Sequence, residues 1–151
     1  MPTNLLRNRQ KPSTPAAAGR ERHAIARRRV TIAAGRVRIR AELLDTPTAR
    51  RIFAALPIHS TAETWGESIH FEVPVESGRE RGARIEAALG DICFWPADGR
   101  VILGFGPTPI SRPGEIRLPQ PCNVWARALD DVSGLRRVTP GEKVAITLDP
   151  P

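Results

Sequence analysis

From Val30 onward apolar and polar residues alternate along most of the chain. Val30 and Ile32 alternate with polar neighbours, and Ala34-Gly35 turns the chain. Val37, Ile39, Ala41 and Leu43 then face one way, while Arg36, Arg38, Arg40 and Glu42 face the other. A period of two on either side of a turn predicts a hairpin. The spacing changes once. Thr46 is placed to cap a helix, Pro47 suits its first position, and Ala49, Ile52, Phe53 and Leu56 form one apolar face before Pro57 ends it. This predicts a single short helix near residues 47–56. Alternation then returns at Ile69, Phe71 and Val73, at Ile92 and Phe94 ahead of Trp95-Pro96, and at Val101, Leu103 and Phe105 after the Asp98-Gly99 turn. It continues at Val124, Ala126 and Ala128, and ends with Val144, Ile146 and Leu148 after Pro140-Gly141. Many short strands and one helix predict a mainly β fold, a barrel or sandwich rather than a βαβ architecture.

The first 28 residues do not share this pattern. They are rich in Arg, Pro, Ala and Ser/Thr and carry too little apolar periodicity to offset the entropy of ordering them. The chain therefore divides into a basic, disordered tail (1–28) and a folded domain (29–151). This division also explains the charge. The chain carries 23 Lys and Arg against 16 Asp and Glu, a net +7. Arg7, Arg9, Lys11, Arg20, Arg22, Arg27, Arg28 and Arg29 stand against Glu21 alone, so the excess lies entirely in residues 1–29. The remainder is neutral and has no overall field for a phosphate backbone, which leaves nucleic acid as a partner only through the tail.

Further classes are set aside in the same way. No apolar run has the length of a membrane span, and Leu5-Leu6 is followed at once by Arg7 where a secretory signal would continue, so a cytoplasmic protein is expected. Cys93 lies inside the apolar run Ile92-Cys93-Phe94-Trp95, and both it and Cys122 are expected to be reduced, Cys93 as a small core hydrophobe. Neither has a His or Cys at metal-ligand spacing, and the histidines at 23, 59 and 70 are scattered. The residues call for no metal and no cofactor.

Several segments bear a family likeness. Thr64-Trp65-Gly66-Glu67-Ser68-Ile69-His70-Phe71 resembles the TWGE-x-I-x-F segment of a family of small prokaryotic proteins with a cyclophilin-like fold. Gly90-Asp91-Ile92-Cys93-Phe94-Trp95-Pro96, Phe105-Gly106-Pro107-Thr108-Pro109-Ile110-Ser111, Asn123-Val124 and Pro140-Gly141-Glu142-Lys143-Val144 resemble further segments of that family, in the same order. The resemblance implies a closed eight-stranded barrel of cyclophilin type with most longer helices and loops removed. It implies no particular reaction, since fold alone does not assign one.

The chemistry of a prolyl isomerase is well defined. The X-Pro bond has a barrier of about 20 kcal/mol from amide resonance, and the enzyme lowers it with an Arg that donates to the proline nitrogen beside an apolar pocket. The FHR and QGGD segments that carry this work in cyclophilins have no counterpart here. Ile69-His70-Phe71-Glu72 places an acid near the position of that Arg, and nothing in the sequence places Arg100 or Arg112 at a pocket. The Gly104-Phe105-Gly106 segment lacks the helix and Lys of a phosphate loop.

The candidate ligand-binding residues are Trp65, Glu67, Trp95, Thr108 and Asn123. Each indole stands at a strand end beside a chain-bending residue, Gly66 or Pro96, where an apolar body with one N–H suits the mouth of a barrel. Glu67 is either a solvated turn residue or a carboxylate raised in pKa by its aromatic neighbour, and Asp91 either caps a turn or acts as an acid. Thr108 and Asn123 stand at similar loop positions. The leading reading is a binding module with an aromatic-edged cleft for a peptide or small molecule. The alternatives are an isomerase or amide-processing accessory domain, and a nucleic-acid-associated protein acting through its tail.

Overall fold

The computed structural model describes residues 25–150. The structure of the expected tail up to residue 24 lies outside the described residues, but its last part does not. Ile25 is buried in the main core, the Arg27 N–H donates to the Leu43 carbonyl, and Arg28 lies 5.5 Å from the centre of the Phe53 ring. Packing against the barrel thus begins four residues ahead of Arg29.

Ten strands and one helix make up the domain: β1 (Arg29–Ala34), β2 (Val37–Leu43), α1 (Pro47–Ala55), β3 (Ile58–Thr61), β4 (Glu63–Thr64), β5 (Ser68–Glu72), β6 (Arg84–Ala87), β7 (Asp91–Trp95), β8 (Arg100–Gly104), β9 (Ile116–Ala128) and β10 (Lys143–Leu148), with a 3-10 turn at Val132–Arg137. Nine strands form one continuous path, β3-β10-β1-β2-β9-β7-β8-β5-β4, and β6 pairs with β9 off this path. The fold is mainly β and barrel-like, as the alternation predicts, with two strands beyond the expected eight. The ladder does not close fully. Its end strands β3 and β4 are joined through the buried Ala62, whose N–H and carbonyl bond to Glu142 and Gly141 at the start of the β10 segment.

Strand register explains the interior. Ile39, Ile32, Ile146 and Ile58 sit opposite one another across β2, β1, β10 and β3, so one inward row is branched aliphatic throughout. The helix forms where its signals lie: the Thr46 side chain accepts from the Ala49 N–H at 3.1 Å, and Ala49 and Ile52 are buried. It ends at Ala55 because Leu56, which precedes Pro57, takes an extended conformation.

Along β9 the predicted alternation slips by one residue. Ile92 pairs with Ala126 but Cys93 with Val124, so Trp125 is the extra residue of a bulge. Both Trp125 and Ala126 are fully buried, and Trp125 is the largest side chain in the core. The inward face expected at Val124, Ala126 and Ala128 is corrected accordingly: Val124 and Ala128 are only half-buried.

A second apolar layer lies on the outer side of β7 and β8. It consists of Ala87, Cys93, Ile102, Ile116, Leu118 and Cys122, edged by Trp65, Trp95 and Val124. It exists because β9 is long enough for its first half to pair with β6 and lie against the barrel wall. Pairing slips between Arg84–Cys122 and Glu86–Arg117, a stretch that includes Pro119 and Pro121, which cannot donate to a ladder. Gly104 permits the contact, since a Cβ there would sit 2.4 Å from Ile116 Cγ2. The two cysteines are free and buried in this layer, and burial pushes the Cys122 thiol to about 12 and Cys93 higher still.

Candidate functional site

At the margin of the outer layer lies a cavity of about 340 Å³ lined by Glu63, Trp65, His70, Trp95, Asp98, Arg100, Ile102 and Pro119. Register brings these residues together. Glu63 of β4 pairs with His70 of β5, His70 with Ile102 of β8, and Trp95 of β7 with Arg100 of β8. Because Ile69, Phe71, Val101 and Leu103 point inward, His70, Arg100 and Ile102 emerge on the outer face.

The two indoles are held by different means. Trp65 is fixed through its backbone: its N–H donates to the Ser68 carbonyl, and Ser68 Oγ donates to its carbonyl at 2.6 Å. The turn after it requires glycine. Gly66 has φ +59°, and a Cβ there would lie 2.7 Å from Pro109 Cδ. Trp95 ends β7, its carbonyl receives the N–H groups of Asp98 and Gly99, and its Nε1–H donates to Gln120 Oε1 at 2.9 Å. Both indoles are half-buried.

Polar groups gather beside them. Arg100 Nη1 lies 2.8 Å from Glu63 Oε2, and its Nε lies 3.2 Å from Asp98 Oδ2. Nη1 also lies 3.4 Å from His70 Nδ1. Burial and then the Arg100 charge hold His70 below its ordinary pKa, with Glu63 and Asp98 opposing. The cavity thus has indole walls, an apolar part at Ile102 and Pro119, and a charged part at Glu63, Asp98 and Arg100.

Of the five residues expected from sequence, Trp65 and Trp95 line this cavity and the other three do not. Glu67 is ion-paired with Arg136, which also lies 5.4 Å from the centre of the Phe105 ring. Thr108 is buried; its Oγ1 donates to the Arg117 carbonyl at 2.6 Å, and its N–H donates to Ser111 Oγ. Asn123 is not ahead of a strand but inside β9, where its amide donates to Thr48 Oγ1 and the Gly78 carbonyl and accepts from the Glu80 N–H. Its hydrogen-bonding capacity is used to hold the segment around residues 77–80. Asp91 takes the capping role, accepting from the Ala88 N–H at 3.0 Å.

The residues that sequence reasoning missed are Glu63, His70, Asp98, Ile102 and Pro119, and it left Arg100 unplaced. Alternation alone marks His70, Arg100 and Ile102 as outward-facing; only the pairing of strands puts them side by side. Other concavities of about 650, 540, 430 and 260 Å³ have no aromatic side chain in their walls. Among the described residues no three His, Cys, Asp or Glu side chains gather in a way that would hold a metal ion. No described helix is long and apolar enough to cross a membrane.

These features define a small, nearly closed β-barrel with a cavity on its outer wall that Trp65 and Trp95 help to line. The chain belongs to the cyclophilin-like family, whose pattern it matches over residues 28–147. It is similar to the solution structure of the hypothetical protein AF2241 from Archaeoglobus fulgidus, with 34% identity and a TM-score of 0.72 over 82% of this chain and 96% of that one. It also shares its fold with McbB, solved in complex with tryptophan, at 12% identity and a TM-score of 0.58 over 78% of this chain and 44% of that one. No curated protein matches the sequence.

Proposed function

We propose that the domain is a binding module whose cleft between Trp65 and Trp95 takes a small molecule or a peptide side chain. The observation that carries this reading is the convergence of two half-buried indoles, from segments 30 residues apart, on one cavity with Ile102 and Pro119. Apolar walls with a few placed polar groups are the usual make-up of a ligand pocket. A screen of small-molecule fragments and capped dipeptides against the three indole N–H signals in NMR tests it. Ligands are expected to move the Trp65 and Trp95 signals and leave Trp125, in the barrel interior, unmoved. Hits that shift only signals remote from both indoles would sink the reading.

A second reading, prolyl isomerisation, is favoured by one observation: Arg100 lines the same cavity as the two indoles. Against it, Arg100 already directs Nη1 and Nε to carboxylates. A peptide isomerisation assay separates the two. No acceleration is expected; activity that disappears in Arg100→Ala would promote the enzyme.

A further inference from the structure

We propose, on the reading that the Trp65–Trp95 cleft is a ligand site, that its ligand carries a positively charged group, an alkylammonium or a guanidinium, seated against the indoles.

The first support is a contrast among the aromatic rings. Phe53 is covered by Arg28 at 5.5 Å and Phe105 by Arg136 at 5.4 Å. Among the described residues no cation stands over Trp65 or Trp95, although indole attracts a cation most strongly of the aromatic side chains. The protein therefore covers two phenyl faces with its own arginines and brings two indoles, the better cation acceptors, to the wall of a cavity.

Charge points the same way. The cavity wall carries two carboxylates, Glu63 and Asp98, against one guanidinium, Arg100. Burial and then the Arg100 charge bias His70 toward its neutral form. Arg100 engages one oxygen of each carboxylate, Oε2 of Glu63 and Oδ2 of Asp98, and these side chains remain 54% and 51% exposed. They are accessible to a second cation. An anion would meet the opposite situation: the cationic side chain is already paired, and the remaining field is negative. Ile102 and Pro119 supply an apolar surface for the alkyl part that carries the charge.

The test uses choline, its neutral isostere 3,3-dimethylbutan-1-ol, and the anion 3,3-dimethylbutyrate, each titrated into the full chain while the three indole N–H signals are followed. Choline is expected to bind roughly two- to thirtyfold more tightly than the neutral isostere, the range for a cation held over an aromatic face. Glu63→Gln and Asp98→Asn, both at exposed positions, are each expected to reduce that preference, and an unmoved Trp125 signal certifies that the variants remain folded. N-acetyl-lysine methylamide against its norleucine counterpart tells a basic peptide side chain from a free amine. Equal or tighter binding of the neutral or anionic probe overturns the cation while leaving the cleft intact as a site. If no probe moves the Trp65 or Trp95 signals, but uncharged fragments from the screen do, the cation again fails alone. If nothing moves them, the cleft itself is lost.

Discussion

The inside of the barrel and the outside of its β7–β8 wall are both apolar, yet they are built on different terms. The interior is filled from nearly every strand in rows set by register, with Trp125, Phe71 and Phe94 fully buried among branched aliphatics. The outer layer has six buried side chains, two of them cysteines, and depends on the first half of β9 folding back with β6. The interior side chains are almost all fully buried. The outer layer ends in two half-buried indoles, and the cleft is its unfinished edge. A small barrel without long helices or loops thus forms this cavity at the edge of a partial second layer rather than by opening its core.

Truncation inside the barrel should give the largest effect. Phe71→Ala is expected to cost about 3–5 kcal/mol in chemical denaturation, the range for removing a fully buried ring. A loss below about 1 kcal/mol would show that the interior is no better packed than the outer layer. Next comes Gly104→Ala, which forces a methyl against Ile116 and should destabilise by about 2 kcal/mol through overpacking. Its effect belongs to the outer layer: amide exchange should accelerate in β6 and the first half of β9 and stay slow in β1 and β2. Uniform acceleration would mean that the two layers unfold as one.

Smaller again, Trp65→Ala and Trp95→Ala should each lose less than about 2 kcal/mol and stay folded, because each indole is only partly buried. If either variant unfolds, the indoles are core and the distinction between sealed and open layers collapses. The smallest effect is protonation of His70, whose midpoint should fall below 6.5 in an NMR titration. The sign follows from the cause. The fold disfavours the charged imidazole, so the unfolded chain takes up the proton first as pH drops below 6.5. The contribution to stability is therefore complete above that pH and declines toward the folded midpoint. Arg100→Ala should raise the midpoint, since the next cause after burial is that like charge. A midpoint at or above 6.5 in the parent protein would contradict the packing described for this wall.

Local pattern decided a good deal. Alternation at Val30–Leu43, Ile69–Val73 and Val144–Ile146 identifies strands and their inward faces, because a residue's side of a pleat depends only on its neighbours. Leu148, read as the last inward position, is instead exposed at the strand end. The helix was legible for the same reason, since Thr46, Pro47 and Pro57 act within a turn of where they stand. The strands that went unread are those whose sequence lacks a face: Ile58-His59-Ser60-Thr61 has one apolar residue, and β6 is exposed at three of its four positions. The bulge at Trp125 was hidden too, because it is a mismatch between two strands and no single strand records it.

The candidate site divides along the same line. Trp65 and Trp95 were legible as strand-end indoles beside chain-bending residues, and the structure brings them to one cavity. Thr108 and Asn123 look equally available in the sequence, but their partners, Arg117 and the 48 and 77–80 segments, are distant or unpredictable along the chain. The sequence by itself determined which residues face the inside along the regular strands, where its one helix begins and ends, and that its excess charge lies in the first 29 residues. Tertiary structure alone decided that Glu63, His70, Asp98 and Arg100 meet two indoles on an outer wall. Facing is a property of successive residues, whereas adjacency across strands depends on register, which bulges and a folded-back β9 set only when the whole barrel forms.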